Sequence, residues 1–331
     1  MARDVIFDRV VSHELLSVLA AGVLHPLIDR RNANLAELDV QLRRKGGDSW
    51  VSLYAGLTTV LDVHEGGGAF WLKAHRTHRL AGGFDPAWFT KRSLASLKEI
   101  WPEVERYVDR ALAKVDRHHI ELEGKVHAAM CSGQASSYRV INREADPSFA
   151  SGLERTRFVQ ATGAPIWQAV RADRNPEPWW PGRRYEKNPK RFGTSPDILA
   201  IDDAGRLLVI EAKPPGALEG IAWGPAQVGF YGSMFGELFK RNRDGASVIS
   251  RMLEQRVALG LTEPGRMDLA APLRIVPVLA IGAGHASYQA LSRACLVQNA
   301  ISTKVKPTLP ITRPEIWILD PSGEPSLVLR S

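Results

Sequence analysis

Leu207-Leu208-Val209-Ile210 is an unbroken apolar run that ends in Glu211-Ala212-Lys213. A strand that is apolar on both faces must be covered on both, which is the position of a central strand in a sheet flanked by helices. A carboxylate and an ammonium at the end of such a strand are costly to bury unless they are used. Side chains alternate along a strand, so Glu211 and Lys213 share one face and Ala212 takes the other. The turn Asp202-Asp203-Ala204-Gly205 folds the preceding strand, 198–201, back along this one, bringing Asp197 close to opposite Glu211.

The rest of the second half alternates in the same way. After Asp146-Pro147-Ser148, the spacing predicts a helix over 149–161, a strand near 166–170 and a long polar loop. The hairpin follows, then helices at 225–238 and 247–259, a strand at 274–281, a helix at 288–300 and a strand at 315–319. The first half reads differently. Residues 5–21 carry apolar positions at helical spacing, ended by Pro26 and the polar run to Asn32. Alternating strands then turn at Gly46-Gly47-Asp48 and Gly66-Gly67-Gly68, an antiparallel meander. Residues 86–115 are helical in two pieces broken before Pro102, and 126–141 reads as loose strand or loop. At 331 residues the chain is long for one core. The expected division is an α+β domain with antiparallel strands over 1–147 and an α/β domain over 148–331.

Ser195-Pro196-Asp197 followed by Glu211-Ala212-Lys213 resembles the PD-(D/E)xK nuclease superfamily. Gln227 and Tyr231, four residues apart on one face of the next helix, are similar to the QxxxY feature of its RecB-like and lambda-exonuclease-like branch. The resemblance covers roughly residues 149–282. It implies a restriction-endonuclease-like mixed sheet flanked by helices, and hydrolysis of a phosphodiester in nucleic acid, DNA favoured. Carried over residue by residue, Asp197 and Glu211 would ligate Mg²⁺ or Mn²⁺, with the Ala212 carbonyl as a further ligand and Glu154 as an acidic ligand from the preceding helix. Lys213 would act beside the attacking water, and Gln227 and Tyr231 would support the metal shell or a substrate phosphate. Such stand-alone nucleases serve phage defence, restriction or repair. The alternative is a non-cleaving nucleic-acid-binding or assembly module on the same fold. Any one of Asp197, Glu211 and Lys213 alone would be explained by a solvated hairpin end with a surface ion pair.

Between the strand near 166–170 and Pro196 lies a basic loop with interleaved aromatics: Trp179, Trp180, Arg183, Arg184, Lys187, Lys190 and Arg191. Cations that track phosphates and rings that stack on unpaired bases would make it a nucleic-acid contact. The formal charge of +7 agrees with a polyanionic partner. The equally bland account is a solvated loop whose tryptophans plug the domain interface. His64, His75 and His78 lack a Cys or acidic partner at zinc-site spacing. With only Cys131 and Cys295, no disulfide framework is expected, which points to a reducing, cytoplasmic setting. No segment approaches the ~20 apolar residues of a membrane span, so no membrane partner is expected. Substrate selection, self-association or binding of a partner protein, such as one of a defence system, is left open for the N-terminal domain.

Overall fold

The structure is a computed structural model that describes residues 5–171, 193–242, 244–265, 268–305 and 311–330. In chain order its elements are β1 (Val5–Ile6), α1 (His13–Ala21), α2 (His25–Ala33), β2 (Leu38–Lys45), β3 (Asp48–Ala55), β4 (Thr58–Gly66) and β5 (Ala69–Lys73). Next come α3 (Arg76–Gly82), a 3₁₀ turn (Pro86–Phe89), α4 (Leu94–Leu112), α5 (Arg117–Ile120), α6 (Glu123–Cys131), β6 (Tyr138–Arg143), β7 (Ser148–Phe149) and α7 (Gly152–Arg171). The chain continues with β8 (Ile198–Asp202), β9 (Leu207–Lys213), α8 (Leu218–Arg241), α9 (Gly245–Ala258), β10 (Ile275–Ile281), α10 (Tyr288–Lys304), β11 (Glu315–Leu319) and β12 (Pro325–Arg330).

These elements form two compact units. One is built from residues up to Phe7, 135–250 and 264–331; the other from 8–134 and 251–263. The expected boundary at 147/148 therefore shifts to 134/135, because β6 pairs with β8 and belongs to the second sheet. A short return, 251–263, also joins the N-terminal unit.

The N-terminal unit holds the antiparallel meander β2-β3-β4-β5. Ser12 caps α1 by accepting the Leu15 amide at 3.2 Å. Pro26, expected to end a helix, instead occupies the first turn of α2, where its missing N–H costs nothing. Pro102 does not divide the next helix: α4 runs through it, burying Leu97, Trp101, Val104, Tyr107, Val108 and Ala111 on one stripe. That burial outweighs the lost hydrogen bond.

The larger unit is built on a six-stranded mixed sheet in the order β12-β11-β10-β9-β8-β6. β6, β8 and β9 run antiparallel in sequence, β9, β10 and β11 are parallel, and β12 returns antiparallel. Helix α8 packs on β9 and β10 and lies between α7 and α10. β8 and β10 are buried throughout, and β9 is buried up to Lys213, as the unbroken apolar runs demand. The segment 166–170, read as a strand, is the last part of α7. Phe158, Ile166, Trp167, Ala169 and Val170 bury a helical stripe there; an apolar run this short does not distinguish the helical period from that of a strand. The strand beside β8 is β6, upstream of α7 and overlapping only the end of the stretch 126–141 expected to be loose strand or loop, whose start is the end of helix α6.

Candidate active site

The β8–β9 hairpin sets the geometry. Ile198 lies opposite Ile210 and Leu199 opposite Val209, a register that continues to Asp197 opposite Glu211. Asp197 Oδ2 accepts the Ala212 amide at 2.9 Å. Lys213 Nζ stands 2.6 Å from Glu211 Oε1 and 3.8 Å from Asp197 Oδ2. The three side chains are enclosed: Glu211 is 4% exposed, Lys213 15% and Asp197 20%. Sequence alternation thus brings two carboxylates and one ammonium together. The Ala212 N–H reaches Asp197, so the carbonyl of the same residue turns toward that edge as well. The Lys213 carbonyl faces the other way, accepting the Gly282 amide at 2.9 Å.

Helix α8 supplies the wall. Gln227 Nε2 donates to Glu211 Oε1 at 2.8 Å and to Tyr231 Oη at 3.1 Å, joining both residues of the helix pair to the strand. Tyr231 is held well above the ordinary phenol range, first by burial and then by the Glu211 charge; the amide from Gln227 partly offsets this, and Asp197 and Asp146 add to it. The phenol is therefore a neutral hydroxyl throughout the working range of pH. Gly220 gives Lys213 its path: a Cβ there would stand 2.9 Å from Lys213 Cδ and 3.3 Å from Cε.

Backbone bonds fix the start of β8. The Glu144 amide donates to the Asp197 carbonyl at 2.9 Å and the Ala145 amide to the Pro196 carbonyl at 3.2 Å, prolonging the β6–β8 pairing up to the site. Next to it lies a set that sequence reasoning missed. Thr194 Oγ1 donates to Asp146 Oδ1 at 2.6 Å and accepts from Arg155 at 2.6 Å. The sequence marks Asp146 only as part of the Asp146-Pro147-Ser148 segment ahead of the predicted helix. Its only sequence signal was a carboxylate just upstream of the site's preceding helix, and its link to the site runs through a threonine far along the chain.

Glu154 sits half-buried in the first turn of α7, with its amide donating to Ser151 Oγ at 3.2 Å. Its Oε2 is enclosed and makes no hydrogen bond. None of the contacts that tie Asp197, Glu211, Lys213, Gln227 and Tyr231 together includes it. Trp179, Trp180, Arg183, Arg184, Lys187, Lys190 and Arg191 lie outside the described residues. No helix among the described residues is long and apolar enough to cross a membrane. No protein-family model, curated protein or solved structure matches the chain.

Proposed function

We propose that the larger unit is a divalent-metal nuclease of the PD-(D/E)xK type that hydrolyses phosphodiester bonds in nucleic acid, DNA favoured. The observation that carries this reading is the convergence of Asp197, Glu211 and Lys213 at one hairpin end, with Gln227 bonded to Glu211. The run β8-β9-α8-β10 around that point is the part of a restriction-endonuclease-like core that the site needs. The upstream placement of β6 alters the sheet beside β8, not the hairpin that carries the acids.

The donor set fits Mg²⁺ or Mn²⁺. Asp197 and Glu211 offer carboxylate oxygens and Ala212 a carbonyl, all hard ligands, with no soft donor among them. The bound ion would lower the pKa of a water and polarise the scissile phosphate. Gln227 fixes the orientation of Glu211, and Tyr231 fixes Gln227 in turn. Lys213, within reach of both carboxylates, can hold the attacking water by hydrogen bond and offset the charge that gathers on the phosphorane oxygens. The chain's excess of positive charge favours approach of the polyanion.

The test is cleavage of plasmid, linear duplex, single-stranded DNA and RNA with Mg²⁺ or Mn²⁺, comparing the parent with Asp197→Ala and Lys213→Ala. The reading expects metal-dependent, EDTA-sensitive products that both substitutions reduce by at least roughly 10²-fold. Cleavage that survives both would contradict it, and binding without cleavage of any substrate would favour a non-cleaving module.

A further inference from the structure

The N-terminal unit has a small apolar slot of about 270 Å³ formed by Leu80, Phe84, Pro86 and Phe89, with Arg76 and Arg79 at its edge. Its floor is rigid. Phe84 packs edge-on against Trp88 and Tyr107, with ring centroids 5.0 and 5.2 Å away, and all three rings are buried. Its rim is not. Leu80 is 79% exposed and Phe89 38%, and the Arg79 guanidinium lies over the Phe89 ring, 5.2 Å from its centroid. The volume is below that of drug-sized ligand pockets and suits one planar ring.

Charge is concentrated on the same stretch. Residues 73–98 hold six Lys and Arg against one acid, Asp85, a local charge of +5 where the whole chain carries +7. Asp85 is spent on the 3₁₀ turn, accepting the Ala87 amide at 2.8 Å. Three cations elsewhere in this unit are paired: Arg117 with Glu37 at 3.1 Å, Arg44 with Asp8 at 3.9 Å and Arg30 with Glu105 at 4.0 Å. Arg76, Arg79, Lys91 and Arg92 form no ion pair with any described residue. Lys91 instead lies 4.6 Å from the centroid of Trp71, and Arg92 donates to the Ala87 carbonyl at 2.6 Å. Unneutralised cations beside exposed ring and leucine surface are complementary to a polyanion that also offers an unpaired aromatic ring.

We propose that this slot binds an unpaired base of single-stranded nucleic acid, whose phosphates lie along Arg76, Arg79, Lys91 and Arg92. The assignment deepens the nuclease reading, on which it rests for the identity of the polyanion. A base entering the slot displaces the Arg79 guanidinium from the Phe89 ring and stacks on that ring, leaving Arg79 to a phosphate, a mode indifferent to sequence because every base has a flat face. A base held in a duplex is stacked on its neighbours and cannot enter, so the slot distinguishes unpaired ends, gaps or single strands from intact duplex.

The test uses the full chain in EDTA, so that no cleavage occurs, with fluorescein-labelled 20-nucleotide single-stranded DNA and the blunt duplex of the same sequence, read by anisotropy. Phe89→Ala is expected to weaken single-strand binding roughly tenfold with little effect on duplex binding or on the salt slope. Arg76→Ala/Arg79→Ala is expected to reduce the slope of log affinity against log salt for the single strand by about 1.4. Leu80→Glu, at a position that contributes nothing to the core, should also weaken the single strand. Unchanged single-strand affinity in Phe89→Ala and Leu80→Glu overturns the proposal, as does failure of the parent to bind the oligonucleotide. So does Phe89-dependent binding to phosphatidylserine vesicles in place of the oligonucleotide. Cleavage with Mn²⁺ is measured in parallel. Its absence while the slot binds would count against the nuclease reading alone; its presence with an inert Phe89→Ala would count against the slot alone.

Discussion

Glu211 is held from two sides, by the Lys213 ammonium at 2.6 Å and the Gln227 amide at 2.8 Å. Each partner should therefore be separable by substitution. Gln227→Ala frees the carboxylate to rotate, and Tyr231→Phe removes the oxygen that receives the second Gln227 hydrogen. Either is expected to lower metal affinity or turnover roughly 10–100-fold while leaving the fold intact, as read by Mn²⁺-dependent cleavage and circular dichroism. Because burial and the Glu211 charge keep the Tyr231 phenol protonated well above its ordinary value, the pH–rate profile should show no tyrosine limb below pH ~10. The acids and the lysine were legible in the sequence because strand alternation is a strict period of two and the turn between the strands is short. Asp146 was not. It approaches the site through the Thr194 hydroxyl, a contact between segments that no local pattern relates.

Among the elements, helix α8 is the one whose sequence most directly meets the sheet. A Cβ at Gly224 would stand 2.5 and 2.6 Å from the two Leu279 methyls, whereas at Gly229 the nearest atom would be Ile166 Cδ1 at 3.3 Å. Gly224→Ala is thus expected to cost roughly 1–3 kcal/mol in urea unfolding through overpacking against β10. Gly229→Ala should lie near neutral, its smaller crowding offset by up to ~1 kcal/mol of helix propensity. Equal effects at the two positions would contradict the close approach at Leu279. Strands β8, β9, β10 and β11 were legible from their apolar runs and turns. Helix α7 was only half legible: its run 166–170 is short and mostly apolar, and periodicity cannot separate a buried helix segment from a strand at that length. Prolines misled in the same direction, since Pro102 and Pro225 both lie inside helices whose packing retains them.

At the scale of the whole molecule the chain folds as two units, and the N-terminal one carries its own pH response. His64 is stacked between Trp50 and Trp71, with ring centroids 5.2 and 5.1 Å away, and its Nε2 is enclosed without a hydrogen bond. Burial, reinforced by the Lys73 charge, lowers its pKa from 6.5 to about 4. The native ring stays neutral while the unfolded ring takes up a proton, so the unfolded state binds more protons between those values. Stability is then full above pH 6.5 and falls as pH drops toward 4, by roughly 3 kcal/mol in all. His64→Phe should flatten that part of the profile in denaturation curves followed by tryptophan fluorescence. The division into a meander unit and a mixed-sheet unit was legible, but its boundary was not, because β6 reveals its sheet only through pairing with a strand more than fifty residues away.

The central claim, a divalent-cation site made by Asp197 and Glu211 with Lys213 beside it, is tested most directly by titrating Mn²⁺ into the full chain and reading the free ion by electron paramagnetic resonance. The account expects at least one site that is lost in Asp197→Ala and in Glu211→Ala and retained in Lys213→Ala. Mn²⁺ binding unchanged by the loss of either carboxylate would contradict it.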